Sequence, residues 1–206
     1  MPEQFVFDPD QVAYYEKAGW QAYYERQWLR VVTLMVQLNR AQFRMPLPAA
    51  IQAAFDTARA AAAFAPLDND LVKTERYLAK FYARAGRYVH LAAEAEQLAA
   101  LELDYWVVHR RLAIQRQQDP ADGVIGPMVG SLGQLHTALF AGPPDAMRTS
   151  AEWRARAAEA VDRITGKRST DVAADWREVE SCLQKAYQAV QSINNPPLTD
   201  SVSPTR

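Results

Sequence analysis

The chain has 206 residues, 49% hydrophobic and 23% charged, with 23 basic and 24 acidic residues interspersed to a formal charge of −1. That composition suits a folded globular protein, and without a clustered basic surface it excludes nucleic acid or an anionic membrane as the main partner, because binding phosphates by counterion release needs concentrated positive charge. The single cysteine, Cys182, permits neither an internal disulfide nor a multi-cysteine metal site, and no apolar stretch reaches signal-peptide or membrane-spanning length, so the expectation is a cytoplasmic protein with no membrane span.

Apolar residues recur at helical spacing along nearly the whole chain, and no run of period-two alternation stands out. This predicts an all-α fold, a single-domain bundle of about seven helices. The first helix starts at Asp8-Pro9, an N-cap followed by proline in the first turn, and runs unbroken to about Phe43, where Met45-Pro46 stops it. The second fits Pro48 to Ala65, rich in alanine. Asp68 or Asn69 caps the third, which ends near Ala85 with Gly86 as C-cap. The fourth runs from about Tyr88 to Gln118 and closes at DPADG, residues 119–123, so the first and fourth are two long central helices. A shorter helix covers about Met128 to Ala141, where Gly130 and Gly133 share a face and admit another backbone closely. Two more follow, Asp145 to Thr165 and Ser169 or Thr170 to Ile193. Residues 1–194 thus form the bundle, and the proline-containing segment 195–206, NPPLTDSVSPTR, is expected to be a loose tail.

The stretch AYYEKAGWQAYYERQW, residues 13–28, concentrates six rings in the first helix. Its two Ala-Tyr-Tyr-Glu units lie nine residues apart, half a turn out of phase, so they form no stripe, and the rings read mainly as core filler. On an unbroken helix Glu25 falls on the arc of Tyr14, Trp28, Leu29 and Val32, where a carboxylate is desolvated and needs a partner. On the fourth helix Glu102, Trp106 and His109 lie close in angle on an otherwise apolar face, where the histidine reads first as a core residue satisfied by a tyrosine or carboxylate, and otherwise as a metal or haem ligand or a general base. His90 and Glu94, four apart on that helix, share a face with the spacing of a metal-chelating pair. Arg154, Arg156 and Arg163 alternate with Glu152, Glu159 and Asp162 as on a salt-bridged helix face, and Cys182 reads as a small buried hydrophobe.

No Glu-x-x-His, phosphate loop, Gly-x-Gly-x-x-Gly, Gly-x-Ser-x-Gly or His-Glu-x-x-His occurs in the chain. The function expected first is therefore that of a non-catalytic helical protein acting through association with a protein partner or its own copy, as a homo-oligomer. The alternative is an internal metal, haem or small-molecule pocket between the first and fourth helices, built from Glu25, Tyr23, Tyr24, Glu102, Trp106 and His109. The sequence specifies no cofactor for it.

Overall fold

Asp8 caps the first helix as the sequence predicts: its side chain accepts from the backbone N–H groups of Asp10 and Gln11, and Pro9 opens the first turn. In the computed structural model of the chain, which describes residues 5–118 and 124–194, the elements are α1 (Pro9–Tyr24), α2 (Trp28–Phe43), α3 (Leu47–Phe64), α4 (Leu71–Ala85), α5 (Ala95–Gln118), α6 (Gly126–Phe140), α7 (Pro144–Thr165) and α8 (Val172–Asn194). Among the described residues there are eight helices and no strand. The all-α expectation holds, and the count of seven does not. DPADG and the segment 195–206 lie outside the described residues.

The expected first helix is two helices, because the chain turns back at Glu25–Gln27. Arg26 takes a left-handed conformation (φ 58°), its N–H donates to the Tyr23 carbonyl, and the N–H of Gln27 donates to that of Ala22. This is a Schellman ending with arginine where glycine is usual. The hairpin is sealed by Ala18, Ala22 and Leu34, with Tyr15 and Val31 packed against them. The expected fourth helix is shortened as well. Residues 86–94 form a turn and an irregular segment that buries Val89 completely, so α5 begins only at Ala95. His90 and Glu94 are exposed and lie outside any helix, and the chelating spacing has no helix face to act on.

Each helix packs mainly on its neighbours in sequence, and α8 returns to pack on α1, so the eight close into a ring. Short turns between consecutive helices make neighbours antiparallel. One end of the ring carries the α1–α2, α3–α4 and α7–α8 turns; the other carries Phe5–Asp8, the α2–α3 turn and the α6–α7 turn. This second end is plugged by rings. Phe5 lies 5.4 Å from Phe43 and 5.0 Å from Phe140, Phe7 meets Tyr187 edge-on at 5.5 Å, and Gln191 holds this segment through the Phe7 N–H and the Phe5 carbonyl. Burying each phenylalanine stabilises the closure by about 2 kcal/mol.

Gly126, Gly130 and Gly133 do not bring another helix of this chain close, since a Cβ added at any of them would meet nothing within 4 Å. They line an open outer groove of about 1070 Å³ among α5, α6 and α7. No described helix is long and apolar enough to cross a membrane.

Candidate functional site in the ring interior

The middle of the ring is polar. Glu16 of α1 is 6% exposed and takes two hydrogen bonds from Arg154 of α7, at 2.9 and 2.5 Å; the Tyr187 hydroxyl of α8 donates to Glu16 and accepts from Arg154 at 2.9 Å. Burial works against the Arg154 charge, but Glu16 outweighs it and holds the guanidinium ionised well above its ordinary range. Burial, then Glu16, pushes the Tyr187 hydroxyl well up. His136 of α6 is buried beside the ring of Phe140, with Nδ1 unpartnered; burial and the Arg154 charge lower it to about 3, so it is neutral.

At about 100° per residue, Leu98, Glu102, Tyr105, His109 and Arg116 share the face that α5 turns inward. Glu102 accepts from the Tyr82 hydroxyl of α4 at 2.9 Å and from Trp106 Nε1 at 2.8 Å. Burial and then Glu102 raise Tyr82 well above its ordinary value. Tyr105 is also raised, chiefly by burial, with the Arg154 charge opposing and the Glu102, Glu16 and Asp162 charges adding to it. His109 lies flat against Tyr105, with centroids 5.8 Å apart and planes 4° from parallel.

Towards the end opposite the phenylalanine plug, Asp162 of α7 receives Arg116 Nη1 at 2.6 Å and contacts His109 Nε2 at 3.0 Å. Glu159 lies 3.6 Å from the same Arg116. With one Asp162 oxygen fixed by arginine, the carboxylate accepts from His109 Nε2 on the other. The His109 side chain is 24% exposed. Tyr24 stands close by: partial burial raises its hydroxyl, and the Asp162 charge and Tyr23 raise it further. Arg110 donates to the carbonyls of Phe64 and Pro66 at the end of α3, lies over the Phe64 ring, and feels Tyr23.

Of the six residues expected to form a pocket, Glu102, Trp106 and His109 are half-buried on α5, and Tyr24 is exposed at the end of α1. Tyr23 is 40% exposed and edge-on to Tyr24 and Trp28. Glu25 is misplaced by the sequence: it is exposed, bonded to Gln21 and Gln27 at 2.8 Å, and the arc that buried it combined residues from both sides of the turn at Arg26. The buried acid of the aromatic stretch is Glu16, and the rings around it are mostly at the surface, with Tyr14 48%, Tyr24 45% and Trp28 57% exposed. The six charges of α7 form no single face either. Arg154 and Asp162 turn inward, Arg163 reaches Asp175 and Glu178 on α8, and Glu152 pairs with Arg148. Cys182 is buried as expected, and burial raises its thiol.

Arg116, Asp162, Tyr187 and Tyr82 were not singled out by sequence as site residues. Their helical spacing was visible, but their partners are all on other helices. Among the described residues no group of three or more His, Cys, Asp or Glu is placed to hold a metal ion. Comparison with protein-family models, with curated proteins and with solved structures finds no match.

Proposed function

We propose that this protein binds a small organic molecule inside its helical ring, entering at the end marked by Tyr24 and His109. One observation carries the reading. Glu102 and His109 lie in the centre of the face that α5 turns inward, where a plain bundle is apolar, yet both retain partial solvent access. Tyr82, Trp106 and Asp162 give each of them a hydrogen-bond partner, but a half-buried carboxylate held only by neutral donors still costs stability unless water or a ligand balances its charge. Tyr82, Tyr105 and Trp106 stand next to them, and aromatic rings with a few polar atoms are what ligand pockets are commonly built from. Native mass spectrometry of the freshly purified protein tests this, with a Glu102→Ala/His109→Ala variant as comparison. The expected result is a non-covalent mass held by the wild type and lost from the variant. A bare wild-type mass, together with no thermal shift across a panel of metabolites, contradicts the reading.

A second reading, association with a protein partner or another copy, is favoured by the surface at the same end. Leu29 is 88% exposed next to Trp28 and Tyr23 at the α1–α2 turn, and Leu67 is 90% exposed on the α3–α4 turn of the same end. Arg110 donates to the Pro66 carbonyl at the α3–α4 turn there. Exposed apolar groups clustered in this way mark contact surfaces. Sedimentation separates the possibilities: self-association abolished by Leu29→Glu supports a homo-oligomer, and a monomer with no captured partner argues against association.

A further inference from the structure

We infer that the molecule bound in the ring is an organic cation, an amine or quaternary ammonium, with Glu102 as its counter-ion and the half-buried Trp106 ring beside it; this rests on the interior being a binding site. Charge pairing distinguishes the interior carboxylates. Glu16 has Arg154, and Asp162 and Glu159 share Arg116, with His109 on Asp162 as well. Glu102 alone receives only neutral donors, the Tyr82 hydroxyl and the Trp106 indole N–H, and no cation among the described residues pairs with it.

An anionic ligand meets no cation that is free of a partner among the described interior arginines. Arg154 and Arg116 are both engaged by carboxylates, and Arg110 at the rim is spent on the α3 carbonyls. A neutral ligand displaces water from Glu102 without replacing its charge interaction. A cation supplies that interaction, and aromatic faces attract it further through their quadrupoles. Both Glu102 oxygens keep acceptor capacity beyond the one hydrogen bond that each receives.

The test is calorimetric titration of the full chain with choline, with its neutral isostere 3,3-dimethylbutan-1-ol, and with benzoate. Choline is expected to bind at least tenfold more tightly than the isostere, and Glu102→Gln to weaken choline by roughly thirtyfold, so that the choline-to-isostere ratio collapses. Circular dichroism checks that the variant is folded; if it is not, the choline-to-isostere ratio in wild type and its decline with salt decide the matter. Equal binding of choline and the isostere, or preferential binding of benzoate, overturns the cation while leaving the interior as a site. Failure of all three probes to bind overturns both.

Discussion

Replacing Glu16 with glutamine keeps the size of the side chain and removes the charge that balances Arg154. The side chains involved are 7% and 15% exposed, so neither is well hydrated once its partner is gone. Removing one member of a buried ion pair costs about 3–5 kcal/mol, and the remaining water access at Arg154 places this case near the lower figure, ~3 kcal/mol. In a chain of this size each kcal/mol lowers Tm by roughly 2–4 °C, so Glu16→Gln should melt about 6–12 °C below wild type. Tyr187→Phe leaves the pair intact and removes one hydroxyl with two hydrogen bonds, for about 1–2 kcal/mol. The two changes share Arg154, so their effects should deviate from additivity by about 0.5 kcal/mol or more. Urea denaturation followed by circular dichroism measures all three variants. A loss under about 1 kcal/mol for Glu16→Gln would refute the argument that this pair is desolvated.

His136 is neutral when folded and lowered to about 3, against about 6.5 when unfolded, so the unfolded chain binds the extra proton between those values. Its contribution is fully present above about pH 6.5 and is lost as pH falls toward 3, at up to ~1.4 kcal/mol per pH unit. His136→Leu should flatten that part of the stability profile measured by denaturation; an unchanged slope would assign it to other groups. Arg26 and Lys167 both hold left-handed backbone, at φ 58° each. Arg26→Gly and Lys167→Gly should each stabilise by about 1 kcal/mol, and thermal melts that show a decrease would contradict the cap geometry.

What sequence could show followed from local signals. The caps at Asp8 and Gly86, and the prolines at 46, 66 and 143–144, marked helix limits to within a few residues. The turn at Arg26 escaped because nothing near it is glycine or proline. The helix propensity of residues 88–94 was overridden by the burial of Val89 and the half-burial of Leu91. These two breaks shift every wheel drawn across them. Glu25 falls inside on such a wheel for that reason, whereas Glu16, on α1 throughout, carries no local signal of its burial. Glu102, Trp106 and His109 were legible because they lie on one unbroken stretch of α5. Arg154, Asp162 and Tyr187 join the interior only through ring closure, which brings α7 and α8 to α1 and has no signature within any one helix.

The most direct measurement is a crystal structure at a resolution that shows individual water molecules. The account predicts density from ordered water or a bound molecule against Glu102 and His109, continuous with solvent past Tyr24. A dry interior, with Glu102 and His109 enclosed by side chains on every side, would contradict it.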